Sequence, residues 1–386
     1  MRIALAQVHW PIDPALPLTR DETTLVRALL ATPLRVDPRT GDVAPGLCTS
    51  WHTRDARRWT FRCSHAAAIA RALFRHTSWM FQAVRFTAHG DELRVRLPFR
   101  WLRFPYALTS AAAALPGSRG PFRLVRARSG EVVARRGSLT LDFRRVPPAR
   151  AAALFRRGEL DEAPVPLGDI RAAQLDPTLS PAVHVTQLLM VDVVVVNPRG
   201  ALGDLPNTRR AYWQTADRGD YQALVPERQA PSAVSLVPGS NPPRAPAKAF
   251  RAARARIPAL PPVRVRLGHD AHDPATAYGA SLLVGAWRDL GLGATLAPNG
   301  PDAFLLRVRA EYPQDEALLD ALGPFPTVLA AIHQRAVMER VDETLFHEAR
   351  FIPVAWAVDA RFVSPRVHGW SEDRLGDVNY ARVRLG

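Results

Sequence analysis

Residues 32–62 read TPLRVDPRTGDVAPGLCTSWHTRDARRWTFR, and the fold of the chain is decided there. Asp37-Pro38 and Thr40-Gly41-Asp42 are turn sequences. Trp51, Trp59 and Phe61 flank an Arg/Asp cluster and read as two short strands around a tight turn. The order is strand, turn, hairpin. With a two-residue loop at Asp55-Ala56, Arg54 faces Arg57, Trp51 faces Thr60 and Cys48 faces Cys63, since each step back along one arm is a step forward on the other. Opposed residues at a non-hydrogen-bonded pair have Cα atoms about 4.5 Å apart, close to the lower end of what a disulfide spans. Two readings of Cys48 and Cys63 stand: a bridge in an exported protein, or two small buried thiols in a cytoplasmic one.

Working outward, residues 2–9 and 33–37 read as strands, with an amphipathic helix at 22–30 carrying Leu25, Val26, Leu29 and Leu30 on one side. Residues 66–74 read as a helix, and 83–86 and 92–97 as strands around His89-Gly90-Asp91. A strand at 139–146 precedes a helix at 148–157. The run LLMVDVVVV at 188–196 is continuous and β-branched, the signature of a buried central strand. Residues 208–223 read as one helix and 226–248 as a proline-rich loop. Then 263–267, 275–290, 294–296 and 303–308 follow a strand, helix, strand, strand order typical of an α/β lobe. No internal repeat is present.

A chain of 386 residues with 47% hydrophobic content exceeds the roughly 250–300 residues at which single cores stop growing, so two lobes are expected. The net charge of +15 ordinarily points to nucleic acid or anionic membrane. Here Lys248 is the one lysine, the arginines are scattered, and no nucleic-acid-binding motif accompanies them, so no nucleic-acid partner is expected. No apolar run approaches the roughly 18 residues of a membrane span. The opening Met1-Arg2-Ile3-Ala4-Leu5-Ala6-Gln7-Val8 is too short for a secretory signal and there is no lipobox cysteine, so export rests on codons upstream of Met1.

The hairpin stretch resembles the opening of the family 5 extracellular solute-binding proteins, the oligopeptide, dipeptide and nickel receptors of ABC importers. Further segments are similar to that family in the same order. They are Arg119-Gly120-Pro121-Phe122-Arg123-Leu124, Leu154-Phe155-Arg156-Arg157-Gly158-Glu159-Leu160-Asp161, Pro206-Asn207-Thr208-Arg209-Arg210-Ala211 with Ala216-Asp217-Arg218, and Glu348-Ala349-Arg350-Phe351-Ile352-Pro353-Val354 through Val367-His368-Gly369-Trp370. The chain departs from the family where Phe61-Arg62-Cys63 runs directly into Ser64-His65 and an Ala-rich helix, which abbreviates the small subdomain.

The resemblance implies a two-lobed, class II periplasmic-binding-protein-like α/β fold with two interlobe crossings. Residues 1–196 plus 352–386 would form lobe I, with a reduced subdomain at about 48–115, and 197–351 would form lobe II. It implies a monomeric, extracytoplasmic receptor that captures a small solute, an oligopeptide by default, in an interlobe cleft and hands it to ABC importer membrane subunits. The alternative is a cytoplasmic or degenerate ligand-sensing paralogue of the same fold without a transport role.

The resemblance also nominates a site. Arg307-Val308-Arg309-Ala310-Glu311-Tyr312-Pro313 aligns with the family segment whose aspartate takes the ligand's α-ammonium, which puts Glu311 in that role with Arg309 and Tyr312 beside it. A buried ammonium needs an anion, or its desolvation is prohibitive. A solvated loop glutamate is the other reading of Glu311. Trp356 is a candidate pocket aromatic, with core packing as its alternative.

Other chemistry finds less support. His269, Asp270, His272 and Asp273 could ligate a metal, but Asp273-Pro274 is the sequence of a helix cap followed by proline at the first turn, and no metal or cofactor is expected. The nitrilase-like opening fails because both cysteines precede Lys248, the reverse of the order that chemistry needs. No nucleophile elbow, P-loop or Gly-x-Gly-x-x-Gly occurs, so no enzyme activity is expected.

Overall fold

A computed structural model of the chain describes residues 1–37, 39–76, 81, 84–224, 233–237, 246–270, 274–297, 302–322 and 338–386. It divides into two compact units. The first comprises Met1–Thr186, Glu311–Gln314 and Asp359–Gly386, and the second Gln187–Ala310 and Asp315–Val358. The sequence placed the divisions at 196 and 352. The units part instead inside two long strands, Val183–Val196 and Phe351–Val363, each of which begins in one unit and ends in the other.

In the first unit β1 (Arg2–Leu5) is followed by α1 (Arg20–Leu29), β2 (Leu34–Val36) and β3 (Val43–Pro45). A small sheet follows, made of β4 (Cys48–Thr53), β5 (Arg58–Cys63), β6 (Arg85–His89) and β7 (Glu92–Arg96), with α2 (Ala66–Phe74) between β5 and β6 and α3 (Phe104–Ala107) after β7. Its strand order is β4-β5-β7-β6. Next come β8 (Arg123–Arg128), β9 (Glu131–Arg136), β10 (Leu139–Arg145), α4 (Pro148–Arg156), β11 (Glu162–Pro164) and α5 (Ile170–Leu175). In the main sheet β1 lies parallel to β10 and β11, and β9 and β8 continue it antiparallel. Thr19 caps α1 in a capping box with Glu22, satisfying orphan N–H groups at the helix start. The helix buries Leu25, Val26, Ala28 and Leu29 against Ile3, Leu5, Phe122, Leu141 and Phe143. Gly120 is required where it stands: a Cβ there would lie 2.6 Å from the backbone of Leu29 and Leu30, and this close approach lets Phe122 donate its N–H to Ala28.

The second unit is built on β12 (Val183–Val196), followed by α6 (Pro206–Thr215), α7 (Arg218–Leu224), α8 (Pro246–Arg256), β13 (Arg264–His269), α9 (Pro274–Asp289), β14 (Gly293–Leu296), β15 (Ala303–Arg309), α10 (Ala317–Ala321), α11 (Met338–Glu348) and β16 (Phe351–Val363). Its sheet runs β14-β13-β15-β12-β16. The single helix expected over 208–223 is two, because the chain turns at Ala216-Asp217 and Asp217 accepts the N–H of Asp220 to start α7. Arg218 then lies over the Trp213 ring, 4.7 Å from its centroid, and donates to the carbonyls of Ala233 and Pro353. Arg209, also buried, donates to the carbonyls of Leu202, Gly203 and Glu348. Arg209 and Arg218, both in the resemblance motifs, are therefore structural ties. The proline-rich stretch expected at 226–248 lies largely outside the described residues, and α8 begins within it at Pro246.

The hairpin at 48–63 corrects the expected register. Trp51 faces Phe61, not Thr60, and Thr53 faces Trp59. The loop is longer than two residues because Asp55 accepts N–H groups from Arg57 and Arg58 and pairs with the Arg58 guanidinium. Those contacts, led by the Arg58 N–H, pull the Asp55 carboxyl down to about 2. A bulge between Cys48 and Ser50 then restores the offset, so Cys48 does face Cys63 and the two sulfurs are bonded.

The C-terminal segment, with β17 (Val367–His368) and β18 (Arg384–Leu385), is held to the first unit by buried charge. Asp359 pairs with Arg20 and Arg361, and Glu162 accepts from Arg361 at 3.3 Å, Trp370 at 3.1 Å and Tyr380 at 3.0 Å. Glu372 pairs with Arg20, Arg366 with Asp161, and Arg27 with Asp377 at 3.0 Å. Burial, then the neighbouring Asp359 charge, push the Glu372 carboxyl up to about 8, against the pull of Arg20 and Arg361. Asp359 is held well below the usual carboxylate range because Arg20 and Arg361 outweigh its burial.

Two outcomes are expected. Replacing both Cys48 and Cys63 by Ser lowers unfolding free energy by up to roughly 3 kcal/mol, the loop-closure value for about 15 residues, read from denaturant midpoints; an unchanged midpoint would show the bridge to be idle. The second concerns Glu372. Below the ordinary carboxylate range it is protonated folded and unfolded. From there to about 8 the unfolded chain has released the proton while the folded chain keeps it, so stability falls as pH rises, and above about 8 the loss is complete. Glu372→Gln removes this loss, so between pH 5 and pH 9 the variant should lose roughly 2–4 kcal/mol less than the parent in urea unfolding.

Candidate functional site

β15 carries the chain to the nominated site. It pairs antiparallel with β12, placing Arg307 opposite Asp192 and Arg309 opposite Met190. Asp192 is fully buried and accepts from the Tyr221 hydroxyl at 2.7 Å and from Arg307 Nε at 3.3 Å, so charge at this end of the ladder is compensated inside the second unit. The last ladder contact is the Ala310 N–H to the Leu189 carbonyl.

The next four residues, Glu311–Gln314, belong to the first unit. Tyr312 anchors them: it is fully buried, with its ring centroid 6.1 Å from that of Trp101. Trp101 meets Phe104 edge-on at 5.3 Å and stacks with Phe99 at 5.9 Å, and Phe104 in turn contacts Trp59 and Phe61 of the small sheet. At the far end Arg103 donates to the Gln314 side chain at 2.8 Å, and the Gln314 N–H bonds to the Tyr312 carbonyl. The backbone of Trp101 is tied to the disulfide-bonded hairpin through its N–H to the Ala56 carbonyl. A half-buried carboxylate, Glu311, thus sits beside an aromatic anchor on a short segment pinned to the small subdomain. Such a group, held by its neighbours and partly out of water, favours a cationic partner more than a carboxylate on a free loop does.

The four nominated residues are divided between the two units. Glu311 and Tyr312 lie on the excursion in the first unit, Arg309 ends β15 in the second, and Trp356 is buried in β16 of the second. Tyr312 is buried, with its ring packed against Trp101. Trp101 and Arg103 were not singled out from sequence, although the aromatic-rich run Phe99-Arg100-Trp101-Leu102-Arg103-Phe104-Pro105-Tyr106 marks a cluster. Of the candidate metal ligands, His269 ends β13, while His272 and Asp273 lie outside the described residues; α9 begins at Pro274. Among the described residues no group of His, Cys, Asp and Glu is placed to hold a metal ion, and no helix is long and apolar enough to cross a membrane.

Truncating the anchor tests this geometry. Trp101→Ala should cost about 3–5 kcal/mol and speed amide exchange at 311–314, with the core around Trp287 and Tyr212 still protected. Unchanged exchange at 311–314 would mean that the excursion does not rest on Trp101.

No protein-family profile and no curated protein sequence matches the chain. Solved structures do match. HbpA2 from Haemophilus parasuis aligns with a TM-score of 0.79 at 13% identity, covering 100% of this chain and 99% of that one. The murein tripeptide binding protein MppA of Escherichia coli aligns at 0.74 and 14%, covering 100% and 98%. OppA of Haemophilus influenzae, in complex with RPPGFSPFR, aligns at 0.72 and 15%, also covering 100% and 98%. At these identities the likeness is one of fold. The chain has the two-lobed α/β fold of periplasmic solute-binding proteins, the fold that the ordered sequence motifs imply.

Proposed function

We propose that this protein is the solute-binding component of an ABC importer, capturing an oligopeptide outside the cytoplasmic membrane. The observation that carries the reading is the likeness to peptide-binding proteins along the whole chain: MppA is a murein tripeptide binding protein and the OppA structure holds a peptide. Glu311 supports the choice of peptide, since a fixed, half-buried carboxylate is the group that the ammonium of a peptide's amino terminus requires. The Cys48–Cys63 bridge supports location in an oxidising compartment, because disulfides persist there and are rare in the cytosol. Binding is one to one, without turnover, and the membrane subunits of the importer read the ligand-bound state through its differential stability.

Peptide pools should raise the melting temperature in proportion to the logarithm of ligand concentration. Absence of any shift with peptides would remove the reading. Glu311→Gln should weaken peptides with a free amino terminus by roughly 2–5 kcal/mol in calorimetry and leave their acetylated forms nearly unaffected. Equal affinity of variant and parent for both forms would take Glu311 out of the site.

A further inference from the structure

The first unit holds an open cavity of about 530 Å³ whose lining includes four arginines, Arg39, Arg136, Arg382 and Arg384, with His368 beside them. Gly369, Ala381 and Val383 complete the lining. The placement follows from the strand pairing. His368 and Arg384 are directly opposed on β17 and β18, so their side chains share one face. Gly369, at a φ of 73°, lies so close to the Arg382 carbonyl that a Cβ would come within 2.6 Å, so a side chain at this position would not fit. Arg136 comes from β9 and is steadied over the Phe122 ring at 5.3 Å, and Arg39 comes from the turn between β2 and β3.

Several cations elsewhere in this unit are paired with carboxylates, as Arg366 is with Asp161 and Arg62 with Asp91. Among the described residues none of the cavity arginines forms an ion pair, and no lining residue is acidic. Like charges converging on one cavity repel, and a bound anion relieves that repulsion. Guanidinium forks match phosphate oxygens bidentately, which makes arginine the side chain suited to such an anion. The volume is in the range of small-molecule sites and exceeds what a single anionic group occupies.

We infer that this cavity binds a small molecule carrying two or more phosphate groups, at a site separate from Glu311 and independent of the peptide reading. A free phosphate compound and a phospholipid headgroup share this chemistry, so the test has an arm for each. Inorganic pyrophosphate is titrated calorimetrically into the peptide-free protein against sodium chloride of matched ionic strength, and vesicles containing cardiolipin, whose headgroup carries two phosphates, are sedimented with the protein with and without pyrophosphate. The expected result is one-to-one binding of pyrophosphate above the chloride control, displacement of the protein from vesicles by pyrophosphate, and at least about tenfold weaker binding by the Arg382→Gln/Arg384→Gln variant. Arg71→Gln/Arg85→Gln makes the same charge change on exposed positions of the same unit and should stay within about twofold of the parent. No pyrophosphate binding above chloride, vesicle binding without pyrophosphate binding, or equal losses in the two variants would overturn the site and leave only diffuse attraction to anions. A change in the circular dichroism melting curve of either variant is read first, so a folding defect is separated from a binding one.

Discussion

The charges at Asp359 and Arg361 hold the first unit together. These two residues lie near the end of β16, almost wholly removed from water, and cannot remain charged there without partners. Arg20 at the start of α1 meets Asp359, and Glu162 on β11 meets Arg361. Trp370 and Tyr380 complete the hydrogen bonding of Glu162 from the C-terminal segment. Elements from the beginning, middle and end of the chain therefore converge on one ionic cluster. Apolar burial alone would hold them together, but it is non-directional. The paired charges tolerate only the arrangement in which each is matched, because removing one partner leaves an uncompensated charge in low dielectric.

From that cluster the geometry of the candidate site can be traced outward. β16 ends in the first unit at these charges, having started in the second. β15, within the second unit, is fixed by its ladder to β12 and by the Arg307 to Asp192 contact. The next four residues join the aromatic cluster of Trp101, Phe104, Trp59 and Phe61, whose sheet is closed by the disulfide. Glu311 is thus held by two independent means, strand pairing on one side and aromatic burial on the other.

Much of this was legible in one dimension, and where it was not the reason is local and physical. The helix at 66–74 follows from its periodicity and the strand at 188–196 from its continuous β-branched run, because each buries the same face or faces through that stretch. The break at Ala216-Asp217 was hidden because both sides favour helix, and only the docking of Arg218 onto Trp213 and two carbonyls shows why the chain turns. In the hairpin the opposition of Cys48 and Cys63 was right although the assumed loop was too short. Two one-residue errors, a longer turn around Asp55 and a bulge near Thr49, cancel. Register is set by such details, and a pattern of period two does not record them.

Composition, turn residues and hydrophobic periodicity already contain the α/β class and the two-lobed plan, since these depend on properties of neighbouring residues along the chain, whereas the candidate role of Glu311 rests on the resemblance of its segment to a family motif. Other features exist only after folding. The units divide within β12 and β16, Tyr312 is an anchor beside Trp101, and Arg39, Arg136, Arg382 and Arg384 gather around one cavity. Each depends on residues up to several hundred positions apart becoming neighbours, and which distant side chains meet is set by packing and charge pairing in three dimensions, for which a linear pattern carries no term.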